Sequence, residues 1–311
     1  MGLLKKIGLL LISILLIFTL SFAVILYGFG EVFNKEVYFD SCEKNNVYSS
    51  IEFQLKNESM SEFFILEGGV KPFVQDKIVN FLDYMKNERD DLDLKIKVNK
   101  TLLYKQFGEQ IKDIPLCPEE VKVFNKENIC KPINMGNEEF IDKILDSQNM
   151  SGLITDSIDL KETFNQDGNL DKNLKNLRQI YPMYQKILLA LFILSIFFIL
   201  MIIFMDLNTI KPLLRTLGIV LIIVSINLYT FSSILISTYD KESAKMISEF
   251  SSEIDLTMFI GLVRDLFVAI TLKIKPLGIG FLIIGLIFVI LSILIKTDRP
   301  IIKRKKDIHK K

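Results

Sequence analysis

The sequence predicts an α-helical integral membrane protein with four transmembrane helices and a mainly helical (α+β) extracytoplasmic domain between spans one and two. Three observations carry this. Four stretches are long, apolar and uncharged. The basic residues that flank them gather on one side. The segment 28–186 repeats helical periodicities with strand-like alternation between them.

Residues 1–6, MGLLKK, form a short cytoplasmic N-terminus, followed by span one at 7–27, IGLLLISILLIFTLSFAVILY. Its apolar run is longer than the core of a signal peptide and no A-x-A-like site follows, so it is read as an uncleaved anchor. Span two is 187–205, ILLALFILSIFFILMIIFM; span three is 216–238, TLGIVLIIVSINLYTFSSILIST; span four is 277–295, LGIGFLIIGLIFVILSILI. A hydrocarbon core about 30 Å thick takes roughly 20 apolar residues at helical rise, and each run meets that length.

Charge sets the expected orientation. Lys5 and Lys6, the loop 206–215 with Lys211 and Arg215, and the tail 296–311 together hold twelve Lys or Arg against three acids, a net +9. The whole chain is only +1, so the opposite side carries −8. The positive-inside rule then places both termini in the cytoplasm and 28–186 and 239–276 outside a plasma membrane. The basic tail is a topology determinant that also suits contact with anionic lipid headgroups.

Within the first outer segment, VKPFVQDKIVNFLDYM puts Val74, Ile78, Phe81, Leu82 and Met85 on one helical face, with Pro72 suited to the first turn. TLLYKQFGEQI repeats the pattern with Leu103, Phe107 and Ile111, and NEEFIDKIL with Phe140, Ile141, Ile144 and Leu145. Leu92, Leu94, Ile96 and Val98 alternate with charged residues, as a half-buried strand does, and 152–160 supplies a second strand. From Leu174 the helical spacing continues through Pro182 into span two. In 239–276, Met246, Ile247, Phe250 and Ile254 form one apolar seam and Phe259 to Ile270 another. Two amphipathic helices, on the membrane surface or packed as a lid, are expected there, with Arg264 and Asp265 facing away.

Three cysteines lie in the outer segment. Cys117 and Cys130, with twelve residues between them and Pro118 and Pro132 beside them, are read as a structural disulfide. A zinc site wants further thiols or histidines, and the single histidine, His309, is in the cytoplasmic tail. Cys42 is the odd one, a candidate free thiol, and its pairing with Cys117 or Cys130 stays open.

The absence of histidine outside excludes Ser-His-Asp and Cys-His catalysis there. The acids of ERDDLDL read as a solvated turn. NQDGNLD lacks the closing Glu of a calcium loop, with Leu174 in that place. No nucleic-acid or cofactor motif is visible. The spans carry no ionisable residue at mid-depth, against the usual design of a proton-coupled pump. Span three has a polar row, Ser225, Asn227, Thr230, Ser232 and Ser233, expected to hydrogen-bond between helices. Gly278, Gly280 and Gly285 suit close helix packing.

The chain resembles an uncharacterised group of prokaryotic four-span membrane proteins. The likeness lies in EVYFDSCEKNNVYSSI after span one, then VKPFVQDKIVNFLDYMKNERDDLDLKIKV, IPLCPEEV and ICKPI, and three closing spans. It implies the Cys117–Cys130 pairing and no shared role for Cys42, and it brings no activity. In topology alone the chain is similar to permease-like subunits that transmit force from a cytoplasmic ATPase. That likeness implies Lys211 and Arg215 as cytoplasmic contacts, on a loop short for the purpose. The spacing of the cysteine loop is also similar to that of pentameric ligand-gated channels, which need four spans after the outer domain where this chain has three. The expected function is therefore a non-enzymatic envelope protein whose outer domain binds a partner, an envelope component or a second copy. The alternative is a transmitting subunit that works with an ATPase.

Overall fold

The computed structural model describes residues 3–57, 64–66, 68–99, 101–102, 105, 114–116, 130–131, 135–136, 139–143, 157–159, 169–206, 210–250 and 256–295. In chain order the named elements are α1 (Leu3–Phe29), a 3-10 turn (Gly30–Phe33), α2 (Lys35–Lys44), α3 (Val47–Asn57), β1 (Phe64–Ile65), α4 (Val70–Met85), β2 (Lys95–Val98), β3 (Ser157–Asp159), α5 (Asn169–Asp206), α6 (Ile210–Phe250) and α7 (Leu256–Leu294). The chain forms two compact units, one from 1–45 with 179–311 and one from 46–178. The boundary between them falls within α5.

Helices α1, α5, α6 and α7 are long and apolar enough to cross a membrane. In the first unit α6 and α7 pack as an antiparallel pair, and α1 lies against both. The interior is built from Leu16 and Val24 of α1, Ile202 of α5, Val224 and Leu228 of α6 and Ile274 of α7, all buried. Other apolar side chains face outward, such as Ile193 and Phe204. That pattern suits helices whose solvent is lipid, where burying apolar surface gives little and close packing decides association.

The structure corrects the reading of 239–276 as two helices of their own, whether on the membrane surface or packed as a lid. Residues 239–250 continue α6 and residues 256–276 continue α7, so each helix extends past its apolar span. At 1.5 Å per residue, α6 is about 60 Å long, twice the thickness of a hydrocarbon core. Contacts across the hairpin hold the extensions together. The Tyr239 hydroxyl donates to the Ile260 carbonyl at 2.6 Å, and the Tyr239 and Phe267 rings lie 5.1 Å apart. Residues 28–45 and 179–186, read from sequence as part of the outer domain, group by compactness with the first unit.

The 46–178 unit follows the expected periodicities where it is described. Helix α4 covers the quoted segment and buries Leu82, Tyr84 and Met85. Phe81, expected inward, is 36% exposed. Tyr84 joins Leu92 and Leu174 in the interior, with the Arg178 guanidinium 5.1 Å from its ring centroid. Burying a leucine side chain in such a site stabilises by about 1.5–3 kcal/mol. The alternating strand appears as β2, central in an antiparallel sheet ordered β1-β2-β3, with Ile96 opposite Ile158. Phe140 and Ile141 are fully buried as expected. Leu103, Phe107, Ile111, Ile144 and Leu145 lie outside the described residues, as do the basic tail and the side chains of the first 239–276 seam.

Helix α5 runs unbroken through Pro182. Proline removes the N–H that would bond the carbonyl four residues back. That carbonyl, of Arg178, accepts from Asn87 Nδ2 at 3.4 Å. Asn87 adopts the left-handed conformation, φ 62°, which asparagine tolerates better than most residues.

Candidate functional site

Among the described residues, a concentration of polar contacts lies on α7, in its extension before the apolar span. There Arg264, Asp265 and Lys273 each tie α7 to a different segment of the first unit. Arg264 Nε donates to Asp240 Oδ1 of α6 at 2.8 Å. Asp265 receives three donors from the end of α2: Ser41 Oγ at 2.9 Å, Asn45 Nδ2 at 2.8 Å and the Lys44 ammonium. Lys273 Nζ meets Glu31 Oε1 of the 3-10 turn at 2.7 Å.

Local sequence explains why these groups meet. Gly261 sits one turn before Asp265, and a Cβ there would lie 2.0 Å from Asn45 Oδ1, so only glycine admits the amide. Asn34 caps α2 by accepting from the Glu36 N–H at 3.2 Å. Its amide also donates to Glu31 Oε2 at 2.7 Å, which leaves both oxygens of that carboxylate engaged. The Tyr38 hydroxyl of α2 donates to the Val32 carbonyl at 2.8 Å, and burial raises its pKa, so it stays a donor at neutral pH. Around this junction Tyr27 lies under Lys273 at 5.4 Å, and Phe33 packs edge-on against Tyr181 at 4.7 Å.

At the other end of the bundle, Lys5 Nζ stands 3.7 Å from Asp206 Oδ1, with Asp206 almost fully buried. Sequence counted both among the charges of one face; the fold pairs them.

No protein-family model, curated protein or solved structure matches the chain.

The residues singled out from sequence divide. Ser225 and Ser232 are buried on one face of α6, while Asn227, Thr230 and Ser233 are exposed on another. Ser233 Oγ donates to its own helix, at the Tyr229 carbonyl, 3.0 Å away. The row is thus two faces, because seven residues are close to two full turns and the intervening positions rotate away. Lys211 and Arg215 lie on the first turns of α6, half-buried and exposed respectively. Cys42 of α2 is buried. Cys117 lies outside the described residues, whereas Leu116 and Lys131, which flank the cysteine loop, are backbone-paired, with the Lys131 N–H 2.9 Å from the Pro115 carbonyl.

Asp265 and Arg264, expected to face away, instead join α7 to α2 and α6. Sequence reasoning missed this cluster because its partners are distant, Ser41 and Asp265 being 224 positions apart. One signal was available. Asp240 lies ten residues before the end of α6 and Arg264 eight after the start of α7, so folding the sequence into a hairpin brings them near one another. Chemically, the acids here are satisfied by neighbouring donors, which makes the arrangement a brace.

Proposed function

We propose that this chain is a non-enzymatic integral protein of the cell envelope, with both termini cytoplasmic and the 46–178 unit displayed on the extracytoplasmic face of the plasma membrane. That unit binds a partner, an envelope component or a second copy of itself. The observation that supports this best is the use of the polar groups at one end of the bundle. They brace helices of the first unit against one another, and beside them Lys273 stands over the Tyr27 ring while Tyr181 stacks with Tyr184, the residue types of an aromatic interface belt. Mild crosslinking in the native membrane, followed by the mass of the extracted complex, tests it. A defined homo-oligomer or an envelope partner, lost when 46–178 is deleted, is the expected result. Normal capture by the spans alone would sink the proposal.

The second reading, a transmitting subunit driven by a cytoplasmic ATPase, draws on the unbroken α5. A stoichiometric ATPase in the same particle, released by substitution of Lys211 and Arg215, is the result that would favour it.

An extracytoplasmic unit also fits a Cys117–Cys130 disulfide, and the Leu116–Lys131 backbone bridge supports it by joining the chain beside both cysteines. Closing a loop of this size contributes about 3 kcal/mol. Denatured without reductant, the protein is expected to alkylate at one cysteine, Cys42, and after reduction at three. Labelling at all three before reduction would remove the staple.

A further inference from the structure

We propose that a groove between α6 and α7 binds one anionic glycerophospholipid, with its phosphate on Lys275 and part of one acyl chain between the helices. The cavity holds about 270 Å³ and is lined by Ser225, Ile226, Tyr229, Ile279 and Leu282, with Lys275 at one end. It is a lateral opening: Ile226, Tyr229 and Ile279 are 56%, 62% and 54% exposed. Gly278 forms its back, where an added Cβ would meet Leu228 at 3.5 Å and the Ser225 carbonyl oxygen at 3.8 Å, both ordinary contacts, so the missing side chain leaves the space open.

Charge selects the occupant. Lys273, two residues earlier, is committed to Glu31 at 2.7 Å. Lys275 has no carboxylate within ion-pair distance among the described residues; its Nζ lies 6.0 Å from the centroid of the Tyr229 ring. A half-buried ammonium at the end of an apolar groove calls for an anion carrying an apolar tail. From Lys275 to Leu282 the helix rises about 10 Å, enough for the first part of an acyl chain. The volume falls below the roughly 300–1,000 Å³ of pockets that enclose whole small ligands, so the rest of the lipid stays in the bilayer. The proposal rests on the membrane placement above, which sets Lys275, two residues before span four, at headgroup level. One basic side chain near such a surface contributes roughly fivefold in affinity.

Native mass spectrometry of the full chain released from bilayers of mixed phosphatidylglycerol and phosphatidylcholine tests the site. One retained phosphatidylglycerol is expected. Its affinity should fall roughly fivefold in Lys275→Ala, and the lipid should be lost in Gly278→Leu, which fills the groove. Lys245→Ala, on the α6 extension, should retain it. Equal retention of both lipids, or unchanged phosphatidylglycerol binding in both groove variants, overturns the proposal. Competition by soluble glycerol phosphate as strong as by the lipid does so too, since the groove would then play no part. Failure of the membrane placement reads differently: the protein would leave the membrane fraction without detergent.

Discussion

Asp265→Ala is expected to lower the unfolding free energy of the detergent-solubilised protein by about 2–4 kcal/mol. The carboxylate is 12% exposed and gathers donors from Ser41, Lys44 and Asn45. Its removal leaves the buried Ser41 hydroxyl without its acceptor and takes one acceptor from the Asn45 amide, which keeps the Ser41 carbonyl at 2.8 Å; a buried hydroxyl costs more unpaired than it returns when paired. Lys44, at 65% exposure, regains water, so Lys44→Ala is expected to cost less than about 1 kcal/mol. Asp265→Asn keeps the shape and one acceptor oxygen but turns an amide toward donors, and should fall between the two. Denaturant unfolding in constant detergent gives the ranking. Equal losses for Lys44→Ala and Asp265→Ala would mean that charge attraction, and not satisfaction of the α2 end, holds this junction. Selective proteolysis of α2 in Asp265→Ala would locate the damage there.

What sequence revealed and what it hid divide along physical lines. Spans are legible because a bilayer demands a continuous apolar run, and α4 and β2 because each buries one face of a regular period. Phe81 shows the limit: the period placed it inward, yet the neighbouring Tyr84 found Leu92, Leu174 and Arg178 to cover it. Asp265 was legible as polar, but which helix covers a polar face depends on contacts far apart in sequence. The hydroxyls of span three looked like one row because composition was read without rotation; Ser225 and Ser232 share a buried face that Asn227 and Thr230 do not. The end of the apolar run in α6 was also hard to read, because the helix continues past it without a change of structure.

The glycines of α6 and α7 carry the second large expected effect. A Cβ on Gly285 would lie 2.8 Å from the Gly218 carbonyl oxygen and 3.1 Å from the Ile222 nitrogen. A Cβ on Gly218 would lie 2.8 Å from the Gly285 carbonyl oxygen and 2.8 Å from Val289 Cγ2. The contact is reciprocal and largely backbone against backbone, so no side-chain rotation relieves it; the helices themselves must separate. In lipid, where apolar burial barely favours association, that separation removes the van der Waals contact on which the pair depends. Gly285→Val and Gly218→Val are therefore each expected to destabilise the hairpin by about 1–3 kcal/mol, at the level of overpacking a core. Gly280, whose added Cβ meets nothing within 4 Å, supplies the control: Gly280→Val should be close to neutral. The measurement is disulfide crosslinking between cysteines placed at Ile222 and Leu286 in a Cys42→Ser, Cys117→Ser, Cys130→Ser background, read alongside unfolding in detergent. Slower crosslinking in the Gly285 and Gly218 variants with an unchanged rate in Gly280→Val is the expected pattern. Equal behaviour of all three would mean that glycine serves helix flexibility here, and that the close approach of α6 and α7 does not hold the bundle.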